Sequence, residues 1–243
     1  MSALHGNPLT SEQHRIFKEQ EKNNIQTWEN LSNRNIELAG HTFFCTSSMF
    51  DPKVVECGTE KIAEIIPFPI GGSFLDIGTG CGVFAVLAAK AGCAHILATD
   101  HTQEKVACAH RNVIQNEVDN VVTVQVSDVF DDIPETEKFD VIFWHHPYGR
   151  GEYASPFTHN LFDPNYELLR RYFRDGQKRL KPGGKLLIVN GAQIGDRPLF
   201  LQRAEEANLK PVIIGSIVDG EDLQSSNMPT FTAELFVLMS IEN

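Results

Sequence analysis

The sequence predicts an α/β domain built on a mainly parallel sheet with helices on both faces. Three observations lead there. From Ser73 onward, short apolar runs alternate with longer stretches of helical period. Acids and glycines fall where those runs end, which is where open parallel sheets bind ligands. The 243 residues, 42% hydrophobic and 22% charged, also suffice for a full globular core.

In chain order, Ile16, Phe17, Ile25, Trp28, Leu31 and Ile36 recur at loosely helical spacing. Residues 1–50 are therefore read as an N-terminal helical extension or lid, with 51–243 as the principal domain; Gly40 to Pro52 forms an extended entry segment. Gly58-Thr59-Glu60 opens a helix carrying Ile62, Ala63, Ile65 and Ile66, and Pro67 and Pro69 stop it. Strand 73–77 leads to helix 82–91, strand 95–100 to helix 103–116, and strand 121–126 is β-branched throughout its apolar positions. Strand 139–144 ends at His145-His146-Pro147-Tyr148. A loop with Gly149, Gly151, Pro156 and Pro164 follows, then a helix over 166–180. The turn Lys181-Pro182-Gly183-Gly184 feeds strand 185–190; helix 197–208 and strands 211–218 and 231–241 complete the order.

The net charge of −11 opposes encounter with bulk nucleic acid. The basic run Arg170, Arg171, Arg174, Lys178, Arg179, Lys181 and Lys185 is read as the solvated face of an amphipathic helix. Five cysteines, odd in number and without a C-x-x-C pair, argue against a disulfide framework and a structural zinc site. With no secretory leader and no run long enough to span a bilayer, a reducing cytoplasm is the expected location, with no membrane partner.

Chemistry concentrates at Asp76-Ile77-Gly78-Thr79-Gly80-Cys81-Gly82. A dinucleotide fingerprint would place a third glycine where Val83 stands, and Asp76 would repel a pyrophosphate. The acid instead suits a ligand carrying ammonium and sulfonium charge. Asp100, ending the next strand, could accept from both ribose hydroxyls or cap the helix beginning at Thr102. At the third strand end Asp128 could accept an exocyclic amine while Val129 packs on the ring.

With these residues in view, the stretch from about Asp51 to Gly191 resembles the class I S-adenosylmethionine-dependent methyltransferases. It is most similar to the small-domain branch that includes release-factor glutamine and rRNA base N-methyltransferases. The matching residues are Leu75 to Gly82, Asp100, Ser127-Asp128, Phe139 to Trp144 with the following Pro147-Tyr148, and Leu180 to Lys185; Thr59-Glu60 looks like the branch's upstream motif. The resemblance implies a Rossmann-like seven-stranded sheet whose last strand is inserted antiparallel. It implies S-adenosyl-L-methionine as cofactor and S-adenosyl-L-homocysteine as product. The residues it assigns to the cofactor are Thr59, Asp76, Gly78, Thr79, Gly80, Gly82, Asp100 with the adjoining His101, Asp128, Val129 and His145.

That branch ends its fourth strand in Asn-Pro-Pro-Tyr, whose Asn holds a planar N–H₂ group. Here His145 and His146 replace the first two residues. An imidazole with an ordinary pKa near 6.5 can also take a proton, which widens the acceptor to amines, ring nitrogens or hydroxyls. His145, His146 and Tyr148 are the candidate catalytic residues. Adjacent histidines point apart on an extended chain, so a metal shared with His159 is not expected. Tyr153, Phe157 and Phe162 either shape an acceptor pocket or pack their own loop, and the segment from Gly149 to Phe162 is the candidate lid. The expected activity is methyl transfer to nitrogen of a small-molecule or protein acceptor. O-methylation, or a cofactor-binding partner subunit without catalysis, are the alternatives.

Overall fold

A computed structural model describes residues 30–52, 58–149, 152–155, 157–192, 195–219 and 231–241, with helical positions at 19, 22, 25 and 26. The expectations at Ile16, Phe17, Trp28, Gly151 and Pro156 lie outside the described residues, as does most of the loop before the closing strand.

The chain forms β1 (Arg34–Leu38), β2 (His41–Cys45), α1 (Gly58–Ile65), β3 (Ser73–Ile77), α2 (Val83–Lys90), β4 (His95–Asp100), α3 (Gln103–Gln115), β5 (Val122–Val126), β6 (Phe139–His145), α4 (Glu167–Gly176), β7 (Leu180–Gly191), α5 (Arg197–Glu206), β8 (Leu209–Asp219) and β9 (Phe231–Ser240). Seven strands make one sheet in the order β5-β4-β3-β6-β7-β9-β8. The first five are parallel, and β9 is inserted antiparallel to both β7 and β8. Strand order reverses between β3 and β6, so a ligand crevice is expected over the carboxyl ends of those two strands.

Alternation along the strands divides the core. Phe74, Phe143, Leu187 and Val189 face one apolar layer with α2; Leu75, Ile77, Ile142, Leu186 and Ile188 face the other with Tyr172, Phe173 and Phe200 of α4 and α5. β7 begins five residues earlier than expected. Leu180 pairs with Phe139, and the ladder resumes only at Lys185 opposite Val141, across a register shift. Gly184 permits this because a Cβ there would stand 2.9 Å from the Phe139 carbonyl.

Ile36 departs from the helical expectation, whereas the described positions 19, 22, 25 and 26 are helical. Ile36 lies on β1 of an antiparallel hairpin whose Ile36, Leu38, Phe43 and Cys45 are buried in the same layer as α2. Amides of α3 satisfy the hairpin's edge. Asn112 accepts from Phe44 N at 2.8 Å and donates to Phe44 O at 2.8 Å and Cys81 O at 2.7 Å. Asn116 and Gln115 both donate to Thr42 O, at 3.0 and 3.1 Å. Asn112 thus joins the hairpin to the glycine turn, and it is fully buried.

Asn112→Ala leaves the Phe44 N–H and the Cys81 carbonyl short of a partner and the Phe44 carbonyl with Cys108 Sγ alone, so stability should fall by about 2–4 kcal/mol. Urea denaturation of the two proteins measures this. A loss within error would remove the clamp.

Candidate active site

The turn between β3 and α2 gives its three glycines three different tasks. Each has positive φ: 63° at Gly78, 57° at Gly80 and 85° at Gly82. A Cβ on Gly78 would lie 2.8 Å from Trp144 Nε1, and one on Gly82 would press on Ala109 of α3 at 3.3 Å. Gly80 alone of the three has nothing within 4 Å, so this is the face open to a ligand.

Two acids flank the turn with opposite electrostatics. Asp76 is buried and accepts from Thr79 Oγ1 at 2.6 Å. Burial pushes its pKa up to about 7; the Thr79 bond opposes this and nearby Asp100 adds to it. Asp100 is also buried, which by itself raises its pKa, but its partners outweigh the burial and leave it lowered. Gly80 N donates to Oδ2 at 2.9 Å, His101 N to Oδ1 at 2.8 Å, and Lys105 Nζ stands 3.5 Å away. His101 Nδ1 lies 3.0 Å from the same oxygen. The Asp100 carbonyl accepts from Ser127 N at 2.9 Å, tying on the third strand end. The helix cap that was the alternative role for Asp100 falls to Thr102, whose hydroxyl accepts from Lys105 N.

Asp128 and Val129 begin the loop beyond β5. Val129 is buried at φ 56°, an outlier for a β-branched residue. Two arginines of the basic run grip this loop, which corrects the expectation of a uniformly solvated face. Arg171 pairs with Asp128 and Asp131. Arg179 is buried, lies over the Phe130 ring at 4.9 Å and donates through Nε to Ile133 O at 3.0 Å. Both were missed because a helical charge run does not reveal which of its members turns inward.

At the end of β6, His145 sits beside Phe84 of α2 and Tyr148, with ring centroids 6.1 and 6.0 Å away. Part of its surface is open, yet burial lowers its pKa to about 4, correcting the expectation of titration near neutrality. Its ring makes no hydrogen bond among the described residues. His146 is fully buried between Trp144, Tyr148 and Tyr166, with Nε2 3.3 Å from Asn190 Oδ1. Burial lowers its pKa to about 3. Tyr166, itself in the left-handed region at φ 52°, donates to Tyr148 O at 2.8 Å and accepts from Asp196 N at 2.7 Å. This fixes the backbone behind Tyr148; Asn190 and Tyr166 carried no recognisable sequence signal.

The loop after β6 is tied down at several points. Gly149 bridges to Phe162, and Phe157 and Phe162 are buried as loop packing. His159, expected as the third partner in the disfavoured metal set, stacks on Tyr153 at 3.7 Å and faces His101 at 6.1 Å. Among the described residues no three His, Cys, Asp or Glu are grouped to hold a metal. Thr59 is buried at the start of α1, and no described hydrogen bond or ring contact joins it to the turn. A cavity of about 390 Å³ lies elsewhere, against the starts of β4 and β5 beside His95, Asp119 and Glu137. None of the strand-end residues lines it.

An open glycine face between two buried acids lies at the switch point of this sheet, where open parallel sheets of this class take their ligands. Comparison with known proteins specifies the family. The model described as "Methyltransferase small domain" matches residues 40–209, and the chain belongs to that family. Its cofactor is S-adenosylmethionine, and the turn fits it because Gly80 leaves room against the main chain. The chain is 30% identical over 203 residues to release factor glutamine methyltransferase of Cereibacter sphaeroides, covering 78% of this chain and 70% of that protein. It is 27% identical to ribosomal RNA small subunit methyltransferase C of Haemophilus influenzae, covering 70% and 46%. A match to ribosomal protein L11 methyltransferase of Lactobacillus johnsonii is 41% identical but covers only 29% and 21%. Among solved structures, a methyltransferase for N2 of 16S rRNA G1207 from T. thermophilus superposes with a TM-score of 0.58 at 16% identity, over 84% of this chain and 50% of that one. No helix of the described residues is long and apolar enough to cross a membrane.

The buried histidines make an acid limb of stability. Unfolded, they take up protons below about pH 6.5; folded, they stay neutral until about 4 and about 3. The unfolded state therefore binds more protons in that window, and stability drops as pH falls from 6.5 toward 4. His146→Phe should make this fall shallower, seen in urea midpoints between about pH 7 and 4.5. An unchanged slope would mean that His146 titrates alike in both states.

Proposed function

We propose that this chain transfers a methyl group from S-adenosylmethionine to a nitrogen of a protein or small-molecule acceptor. The observation that carries the reading is the end of β6, where His145, whose ring makes no hydrogen bond among the described residues, stands against Phe84 of the turn's own helix, followed by Pro147 and Tyr148. The relatives support nitrogen or protein acceptors by name: a glutamine of a release factor, ribosomal protein L11, and N2 of an rRNA guanine. The chain spans about half or less of several of these proteins, so its acceptor is inferred from its own residues. A charge of −11 favours a protein or metabolite over bulk RNA, and a cytoplasmic location goes with this reading.

When bound, the cofactor supplies an electrophilic methyl on a sulfonium. Asp76, Thr79 and Gly78 to Gly82 would hold its methionine end, helped by Thr59; Asp100 and His101 its ribose; Asp128 and Val129 its adenine. His145 would receive the acceptor N–H on its imidazole lone pair while Tyr148 offers its ring face. With a pKa of about 4 it is too weak a base to strip an ammonium at neutral pH, so it positions the acceptor. An amide-like nitrogen suits this, since its proton becomes acidic only as the bond to carbon forms and is then lost along the His145 hydrogen bond to water. Holding nucleophile and methyl together in a dry cleft is worth up to roughly 7–11 kcal/mol. His146 acts at one remove, packing behind Tyr148 and contacting Asn190.

Labelled methyl transfer into a cell extract, fractionated into metabolites, protein and RNA, tests the assignment; label confined to RNA would overturn the acceptor class. On the identified acceptor, His145→Ala should lose about 100-fold in kcat and His145→Asn far less. The single-turnover rate should stay flat between about pH 5.5 and 8. A decline centred near 6 would restore His145 as a base.

Asp76 gives a separate test. Its carboxyl sits near pKa 7 without ligand, and an adjacent ammonium favours the ionised form. Binding of S-adenosylhomocysteine at about pH 6.5 should therefore release a proton, and affinity should climb as pH rises to 7. Calorimetry in buffers of different ionisation enthalpy measures the release. Its absence, with binding intact, would place the ammonium elsewhere.

A further inference from the structure

We propose that Arg171 is a positioning residue for the cofactor's base, giving the site its preference for a purine that carries an exocyclic amine. This rests on the proposed adenine contact of Asp128. Arg171 reaches from α4 to the loop beyond β5 and engages it at three points. Nη1 lies 3.0 Å from Asp128 Oδ2, Nη2 donates to Asp128 O at 2.8 Å, and Nη2 lies 2.9 Å from Asp131 Oδ1.

The side chain of Asp128 is 53% exposed and that of Arg171 only 19%. An aspartate so exposed would sample several rotamers if unheld, and a hydrogen bond to a ligand would have to order it first. By taking Oδ2 and the carbonyl together, the guanidinium fixes both side chain and backbone of Asp128 and leaves Oδ1 without a described partner. A carboxylate held this way accepts from an amine and repels a carbonyl oxygen at the same place. The next residue makes the hold necessary. Val129 is buried at φ 56°, a conformation that β-branched residues rarely adopt, and the grip on the preceding carbonyl helps maintain it.

Arg179 secures the far end of the loop at Phe130 and Ile133. It is buried and shares no partner with Arg171 in the loop. The two arginines therefore divide the work: Arg179 supports the fold and Arg171 sets the reading edge. A lysine, with one point of charge, cannot make the same fork.

Calorimetry would compare S-adenosylhomocysteine with S-inosylhomocysteine, in which a carbonyl replaces the amine. Wild type should prefer the adenosyl ligand. Arg171→Ala should weaken it about 10-fold while leaving the inosyl ligand within about 2-fold, and Arg171→Lys should fall between. Equal weakening of both ligands would reduce Arg171 to a structural support and overturn the proposal; tighter adenosyl binding would make the pair an obstacle and overturn it too. Asp128→Ala separates the two readings. If it leaves the adenosyl ligand's affinity unchanged, the contact assigned to Asp128 fails and the role of Arg171 falls with it. If it removes the preference while Arg171→Ala and Arg171→Lys do not, Arg171 alone is wrong.

Discussion

Asp100 is the residue on which the strand ends depend. A carboxylate taken from water costs several kcal/mol unless its lone pairs are filled. Here Gly80, His101 and Lys105 fill them, while the Asp100 carbonyl receives Ser127 N. The glycine turn, the start of α3 and the exit of β5 are thereby held to one residue, the first two through its side chain and the last through its carbonyl. Asp76, across the turn, has only the Thr79 hydroxyl as a described side-chain partner, and burial leaves its carboxyl near pKa 7. The two acids thus differ in pKa because the partners of Asp100 outweigh its burial, whereas the donors to Asp76 do not.

The sheet was legible because its strands are short apolar runs bounded by turn residues. The expected spans 73–77 and 95–100 match β3 and β4, and helix ends differ by a residue or a few. The hairpin of β1 and β2 was not legible as such. Ile36 and Leu38 alternate over only five residues, and Ile36 also fell in register with the helical spacing upstream. What stabilises the hairpin lies far along the chain: Asn112 reaches Phe44 across 68 residues. Periodicity reports a local face and carries nothing about such a pairing.

The site divides in the same way. Asp76, the glycines and Asp100 announce themselves at one strand end each, and hydrogen bonds bring Asp76, Thr79, Gly80, Asp100 and His101 together. Asn190, Tyr166, Arg171 and Arg179 come from β7 and the α4 region, and each acts on a residue more than fifteen positions away. Their helix or strand was predictable; the distant group each would meet was not. The basic run shows the cost of that gap most clearly. Arg170 and Arg174 pair with acids on their own surface, whereas Arg171 and Arg179 reach the loop that follows β5.

The exchange of histidine for asparagine at position 145 is less of a departure than the side chains suggest. In water an imidazole is a titrating base, and the substitution would change the chemistry. Packed against Phe84 and Tyr148, with its pKa at about 4, the ring is a neutral group with one acceptor and one donor nitrogen. A carboxamide also offers an acceptor and donors in one plane. The surroundings that make the residue a poor base are therefore compatible with the hydrogen-bonding role proposed for it. The backbone supports the same conclusion, because Tyr166 holds the carbonyl of Tyr148 and His146 packs on its ring.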